Sequence, residues 1–170
     1  MGWGCLCVII DVYVNVNKIL PMTPHGPAPH DPLYQRVAAS LARQGMMQPW
    51  GVALLSVAPG TVVLSLPYSE RVTQQQGGFH GGAMGALADI AGGYAALTMA
   101  PPGMEVVTVE YKINFLAAFQ NGVLEATGRV VRAGKRLTVT TADVVHVAPD
   151  GARNLAAVMQ QTLVPVAQTY

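Results

Sequence analysis

The sequence predicts an α+β domain in which a curved antiparallel sheet wraps around one long helix. Three observations support this prediction. The predicted elements run helix, two strands, long helix and four strands, without the βαβ alternation of a parallel sheet. The long helix, Gly81–Leu97, is built from small and apolar residues with the single charge Asp89, so it needs apolar cover on nearly all sides. The links between the later strands are turn sequences that favour hairpins.

The first helix is predicted directly after Asp31. This aspartate can cap the helix start, Pro32 suits the first turn, and Gly45 can end the helix. Apolar positions recur every four residues and give the helix one face for the core, formed by Leu33, Val37 and Leu41.

Six strands are predicted, two before the long helix and four after it. The runs Val52–Val57 and Thr61–Leu66 flank a Pro59-Gly60 turn, which predicts a hairpin. The later four runs are separated by QNG, AGK and PDG, and these turns predict four strands in a meander. In the first of the four, apolar and polar residues alternate between two sides: Val107, Val109, Tyr111 and Ile113 against Thr108, Glu110, Lys112 and Asn114.

The composition is that of a packed protein whose surface is partly covered by another subunit. Of 170 residues, 51% are hydrophobic and only 11% are charged, which argues against disorder and predicts a homo-oligomer. The formal net charge of +1 gives no sign of a nucleic-acid or membrane-surface partner. The length fits one domain with a sizeable core, predicted to span residues 31–170.

Residues 1–30 are predicted to be an irregular extension. Their apolar start is interrupted by polar residues, does not meet the length of a membrane span and lacks the features of a secretory signal. One alternative is that the natural chain starts at Met22. The only cysteines, Cys5 and Cys7, have no zinc-type spacing and are too close together for an ordinary disulfide. This cysteine usage fits a reducing compartment, and we expect a cytoplasmic protein without a bound metal.

A candidate active site begins at the start of the long helix. Gly81 and Gly82 are among its first residues, so their N–H groups lack acceptors within the helix and lie at its positive end. Such donors can stabilise a carbonyl oxygen that gains charge during acyl transfer. The adjacent His80 could fix the loop or polarise the same carbonyl. The ordinary alternative is a turn that carries a surface histidine.

Asp89 is the second candidate. A lone carboxylate on an apolar helix is costly to bury unless something pairs with it or uses it, and the ordinary alternative is an exposed residue. Asp89 lies eight residues after Gly81, which is about 12 Å along a helix axis. One chain therefore cannot bring both groups to one ester, whereas two antiparallel helices in a dimer can. This spacing predicts two sites at a two-fold interface.

The stretch Gly77–Gly93, followed by VVTVEYKINFLAA and VVRAGKRLTVTTADV, resembles the PaaI-type thioesterases of the hotdog-fold superfamily. Their pattern is an Asn-containing loop, G-x-x-HGG, L-x-D on the central helix and a TV-x-x-x-(I/V)-N-F-L strand. The similarity covers about residues 45–165. It implies the hotdog fold, in which a sheet wraps around one helix, with dimers that often pair into tetramers.

The resemblance also implies roles for individual residues. Asp89 matches the catalytic carboxylate, which activates water or attacks the thioester itself. His80 and the Gly81 N–H match the groups that position and polarise the thioester carbonyl, and Thr108 matches a hydroxyl that helps to hold the water. Gln74 stands where the family often has asparagine, with the same amide one methylene further out. No metal or redox cofactor is implied, since coenzyme A is part of the substrate.

Three basic residues are weaker candidates. Arg132, Lys135 and Arg136 flank the Ala133-Gly134 turn and could bind the phosphates of coenzyme A. The alternative, a solvated hairpin tip, is slightly favoured.

The sequence therefore predicts an acyl-CoA thioesterase, with no nucleic-acid or membrane partner. A non-catalytic hotdog module that binds acyl thioesters is the main alternative, because fold does not decide function; Asp89 separates the two, since binding alone does not require it. A dehydratase of acyl thioesters is a third possibility, but the histidine or hydratase-type motif that it would need is not seen.

Overall fold

The computed structural model describes residues 30–170, which form one six-stranded sheet, two α-helices and two short 3-10 turns. The predicted N-terminal extension, with Met22 and both cysteines, lies outside the described residues save for His30. The helices and strands, in chain order, are α1 (Pro32–Ala42), β1 (Ala53–Ala58), β2 (Thr61–Pro67), α2 (Gly81–Leu97), β3 (Met104–Phe115), β4 (Val123–Ala133), β5 (Thr138–Val147) and β6 (Arg153–Ala167).

The start of α1 is as predicted. The Asp31 carboxylate accepts a hydrogen bond of 2.7 Å from the Leu33 N–H, and Pro32 occupies the first turn. Val37 and Leu41 are buried against the core. The helix ends at Ala42, slightly before the predicted glycine.

The predicted bounds of α2 are confirmed at both ends. Eleven of its 17 residues are buried, because strands β2, β3, β4, β5 and β6 all pack against it. His80 is the N-cap residue, and the Pro101-Pro102 segment follows soon after the last turn. Within the described range, residues 30–170, neither helix combines the length and apolarity needed to cross a bilayer.

The prediction of a four-stranded meander after α2 is wrong for its first strand. All strands pair antiparallel in the order β1-β2-β4-β5-β6-β3. Strands β4, β5 and β6 do form a meander, but β3 lies at the far edge of the sheet and pairs with β6. The reason is that β4 already has β2 on one side and β5 on the other. The first strand after α2 therefore cannot pair with β4, and it takes the free side of β6 instead.

The predicted alternation along β3 is also wrong, because the strand contains a one-residue bulge. Thr108 pairs with Leu163 and Glu110 pairs with Thr162, which leaves Val109 without a partner across the ladder. The extra residue reverses the alternation. Thr108 consequently faces α2, on the opposite side from Glu110, and does not share a polar side with it.

The outer edge of β3 is apolar and exposed. Among the described residues this strand has a ladder partner only on its β6 side. Five large hydrophobic side chains on or directly after β3 are about half exposed: Val107, Val109, Tyr111, Phe115 and Leu116. A long free edge with exposed apolar side chains is a surface that invites pairing with another chain.

Gly128 on β4 lies directly against the backbone of α2. A Cβ at this position would overlap the carbonyl group of Ala91, and backbone atoms cannot swing aside as a flexible side chain can. We expect Gly128→Ala to lower the free energy of unfolding by at least about 2 kcal/mol, measured by urea denaturation. Gly45→Ala is the matched control, because a Cβ there meets no heavy atom of residues 30–170 within 4 Å. Equal stabilities of the two variants would contradict this packing.

Candidate active site

The Asp89 carboxylate is held at one of its two oxygens. Its Oδ1 accepts hydrogen bonds from the Thr108 hydroxyl at 2.7 Å and from Gln161 Nε2 at 3.0 Å. No residue in the range 30–170 donates a hydrogen bond to Oδ2. Asp89 is half-buried and lines a cavity, so one oxygen is anchored and the other is available for chemistry.

Thr108 reaches Asp89 because of the bulge in β3. The inward-facing hydroxyl donates to Asp89 and accepts a hydrogen bond of 3.2 Å from Gln161 Nε2. The structure therefore brings together two of the residues singled out in the sequence, Asp89 and Thr108. The function predicted for Thr108, holding a water molecule, stays a prediction.

Gln161 is a site residue that the sequence reasoning missed. Its side chain is 0% exposed, and a buried amide needs hydrogen-bond partners. A signal was present, because Met159 and Leu163 stand two positions away on either side in the same strand. Residues at this spacing share one face of a strand, so Gln161 faces the core while Gln160 is exposed.

His80 caps the start of α2 with its ring. Nδ1 accepts a hydrogen bond of 2.8 Å from the Gly82 N–H, and the His80 N–H donates to the Val72 carbonyl at 2.7 Å. An accepting Nδ1 is unprotonated, so the neutral ring carries its proton on Nε2. The Gly82 N–H is therefore not a free donor, contrary to the sequence expectation. The exposed ring instead offers its Nε2–H.

The Gly81 N–H is the second group at the start of α2. Within residues 30–170 this group has no hydrogen-bond acceptor, and it lies at the first position of α2. Phe115 of β3 packs against Gly81, where a Cβ would lie 3.3 Å from the ring. The start of α2 thus presents two donors, the Gly81 N–H and the His80 Nε2–H, beside an exposed aromatic ring.

These donors and Asp89 lie on different turns of the same helix. Eight residues separate Gly81 from Asp89, or about 12 Å at the usual helical rise. Within one chain the donors and the carboxylate are therefore separate, and each is called a half-site below, after the prediction of a site shared between two chains.

Gln74 lies in the loop before α2. Its Oε1 accepts a hydrogen bond from the Gln76 N–H, and its Nε2 is next to Gly78. Gln74 thus stabilises its own loop, and the orienting of substrate implied for it stays a prediction.

A cavity of about 410 Å³ opens beside Asp89, between α1, α2, β3 and β6. Part of its lining is apolar, formed by Ile90, Val106, Val107 and Leu163. The lining also contains polar groups, among them the Glu105 carboxylate and Gln44, whose Nε2 donates to the Tyr94 hydroxyl at 2.7 Å. Burial raises the pKa of Tyr94, so its hydroxyl stays protonated at neutral pH and remains a hydrogen-bond donor. The volume suits a small organic group.

The three basic candidates lie around the β4–β5 turn, and all three are exposed. Lys135 borders a second cavity of about 530 Å³ at the C-terminal end of α2, whereas Arg132 and Arg136 do not line it. No carboxylate in the range 30–170 forms a salt bridge with any of the three. Nor does this part of the chain contain a cluster of three or more His, Cys, Asp or Glu side chains that could hold a metal ion.

Comparison with known proteins assigns the family. A family model described as the thioesterase superfamily matches residues 76–150, which include both half-sites. A 1,4-dihydroxy-2-naphthoyl-CoA hydrolase of Listeria monocytogenes is 33% identical over 95 residues, covering 56% of this chain and 77% of the relative. The chain belongs to the thioesterase superfamily. A candidate esterase of Saccharolobus solfataricus is 39% identical over 88 residues, and the match spans 52% of this chain and 62% of that protein.

Solved structures give the same assignment. A thioesterase family protein from Silicibacter pomeroyi is 35% identical, with a TM-score of 0.77 over 80% of this chain and 99% of the other. The PaaI protein of Escherichia coli matches with a TM-score of 0.71 over 81% of this chain and 95% of that chain, and its 22% identity shows a shared fold. Together these matches confirm the predicted α+β hotdog fold, the PaaI-type resemblance and membership of a family of thioester hydrolases.

Proposed function

We propose that this protein hydrolyses acyl-CoA thioesters to a free carboxylic acid and coenzyme A. The observation that carries the proposal is the Asp89 carboxylate, which lies at a cavity with Oδ1 anchored and with no donor to Oδ2 among residues 30–170. Binding alone would not require such a group, which is costly to place half-buried on an apolar helix.

Two routes use the free oxygen. In the first, Oδ2 takes a proton from water while the water oxygen adds to the thioester carbonyl carbon. In the second, Oδ2 itself adds to that carbon, and water later hydrolyses the resulting anhydride. In both routes the C–S bond breaks, the thiolate of coenzyme A leaves and takes up a proton, and the carbonyl oxygen carries negative charge in the intermediate.

The donors for that negative charge are proposed to come from a second copy of the chain. The Gly81 N–H and the His80 Nε2–H would bind the carbonyl oxygen, as preorganised donors do in an oxyanion hole. They cannot serve the Asp89 of their own chain because about 12 Å of helix separates them. A dimer with antiparallel α2 helices places the two half-sites of different chains side by side, with two sites per dimer.

The exposed edge of β3 supports this dimer. Thr108 and Phe115 of this strand touch the carboxylate and the donor end of α2 respectively. A two-fold pairing of this edge would therefore join the two half-sites while it covers the exposed apolar side chains. Pairing of dimers into tetramers is part of the same proposal.

The cavity beside Asp89 is proposed to hold the acyl group. A saturated chain lying against the Tyr94 hydroxyl and the Gln44 amide would desolvate them without offering a hydrogen bond, which costs binding energy. We therefore propose a compact acyl group with a polar substituent. The name of the Listeria relative makes hydroxylated aryl thioesters natural candidates.

The remaining parts of the proposal concern coenzyme A and location. Arg132, Lys135 and Arg136 are proposed to attract its phosphates, since they are exposed cations without salt-bridge partners among residues 30–170. The cytoplasmic location stays a prediction.

A thiol-release assay over short, medium, long and aromatic acyl-CoAs tests the proposed function. We expect turnover of at least one acyl-CoA, with hydroxylated aryl-CoA preferred over saturated acyl-CoA of similar size by roughly tenfold or more in kcat/KM. The matched pair benzoyl-CoA and hydroxybenzoyl-CoA isolates the contribution of the hydroxyl group. Stoichiometric binding of acyl-CoA without release of thiol would instead identify a binding module.

A further inference from the structure

We infer that Gln161 is a positioning residue for the reaction, which holds Asp89 so that Oδ2 is the reacting oxygen. This inference rests on the proposed function and adds a residue and an atom to it. Gln161 touches neither half of the thioester bond in the proposed site; it acts through Asp89.

The orientation of the Gln161 amide follows from its neighbours. Nε2 lies 3.0 Å from Asp89 Oδ1, 3.3 Å from the Asp89 backbone carbonyl and 3.2 Å from the Thr108 hydroxyl oxygen. The reverse orientation would place Oε1, an acceptor, against two other acceptors, Asp89 Oδ1 and the Asp89 backbone carbonyl oxygen. The Gln161 amide thus bonds to both the side chain and the backbone carbonyl of Asp89. These two bonds restrict rotation of the Asp89 carboxylate.

The Gln161 amide packs against α2 at Gly92, where the absence of a side chain leaves space for it. A Cβ at Gly92 would overlap Gln161 Oε1 and would lie 2.7 Å from the Thr140 hydroxyl oxygen. Both oxygens are buried, and neither has a hydrogen-bond partner among the described residues. The rotatable Thr140 hydroxyl is a donor that matches an amide oxygen in chemical type. A glycine at position 92 therefore leaves the space that the Gln161 amide occupies.

The consequence is an asymmetric carboxylate. Oδ1 receives hydrogen bonds from two side chains, Thr108 and Gln161, which occupy its lone pairs. Oδ2 receives none from any residue between 30 and 170, so its lone pairs are available to a water molecule or to the thioester carbonyl carbon. A misplacement of a reacting group by about 1 Å can cost roughly a hundredfold in rate, which is why a buried amide that fixes the carboxylate matters for turnover.

Two substitutions of Gln161 test the inference. Gln161→Met keeps the volume but removes the donor, and Gln161→Glu keeps the shape but turns the donor into an acceptor beside Asp89. We expect kcat to fall roughly 10- to 100-fold in the first and further in the second, with KM changed less than about threefold. Gln160→Met is the control, because Gln160 is exposed on the other face of β6; it should keep the wild-type kcat. A kcat of Gln161→Met within about twofold of wild type overturns the inference.

Gly92→Ala is a third variant, which disturbs the Gln161 amide from α2. The added methyl would displace Gln161 without removing any polar group, so we expect a fall in kcat at little changed KM. The double variant Gly92→Ala, Gln161→Ala removes the clash with Gln161 but does not restore the donor, so it should stay slow. Recovery of full kcat in the double variant would show that Gln161 has only a structural role.

If the Gln161 and Gly92 variants fail to fold, NMR of the Gln161 side-chain amide in the wild-type protein tests the inference without them. The Gln161 side-chain amide protons should exchange slowly with solvent in NMR spectra, and their resonances should move on Asp89→Asn substitution. Fast exchange, or resonances unchanged by that substitution, overturns the inference. If the wild-type protein hydrolyses no acyl-CoA, the proposed function fails, whereas the NMR result still decides whether Asp89 is held by Gln161.

Discussion

Asp89→Asn is expected to lower kcat by at least about 1000-fold and to leave the fold and the oligomeric state unchanged. An amide cannot accept a proton from water at neutral pH, and it is a poor nucleophile, so both routes of hydrolysis are lost. The asparagine oxygen can still accept the hydrogen bonds from Thr108 and Gln161 that Oδ1 receives. The measurement is thiol release on the best acyl-CoA of the panel, together with thermal unfolding and a sizing experiment.

Asp143→Asn is the matched control for this variant. Asp143 lies on β5 and pairs with Arg129 at 3.1 Å, with both side chains about half exposed. Exposed ion pairs of this kind contribute at most about 1 kcal/mol, so the control should keep wild-type turnover and nearly wild-type stability. If Asp89→Asn keeps kcat within about tenfold of wild type, Asp89 is neither the base nor the nucleophile.

Local signals in the sequence were sufficient for the two helices. Asp31 and Pro32 define the start of α1, and the small apolar run defines α2, because caps and composition act through residues that are neighbours in the chain. The two candidate groups on α2 were found from the same local run of sequence. The helical rise alone separates Gly81 from Asp89 by about 12 Å within one chain, and the shared site inferred from this distance stays a prediction.

The strand order of the sheet and the bulge in β3 could not be predicted from local sequence patterns. Which strand takes a free edge depends on the edges that other strands have already used, so the position of β3 beside β6 was not predictable from turn sequences. The bulge at Val109 is likewise a property of the pair of strands. It decides that Thr108 faces Asp89, whereas simple alternation placed Thr108 beside Glu110.

A second substitution with a large expected effect on kcat lies at the start of α2. Gly81→Pro is expected to lower kcat by roughly 100- to 1000-fold, because it removes the N–H proposed for the oxyanion hole. Proline is well tolerated at the first helical position, and the extended backbone of His80, with ψ of 134°, suits the residue before a proline. Gly81→Ala brings a Cβ to the same contact with Phe115 but keeps the N–H. The difference in kcat between the two variants therefore measures the donor.

Combining the two inactive variants tests whether each site is shared between chains. Asp89→Asn and Gly81→Pro chains are co-expressed with different affinity tags, and the doubly tagged dimer is isolated. One of its sites then combines the intact Asp89 of one chain with the intact Gly81 of the other, and the second site carries both defects. We expect about half the turnover of the wild-type dimer, since one site of two is complete.

The same purification with Asp89→Asn in both tagged chains should recover no activity, because neither site then has a carboxylate. Sites formed within single chains would also give no recovery in the mixed dimer, since every chain carries one defect. Turnover in the mixed dimer therefore depends on Asp89 and Gly81 meeting across the interface. Its absence, with both tags present in a folded dimer, would contradict the shared site and leave the 12 Å gap along α2 to be bridged by a change of conformation within one chain.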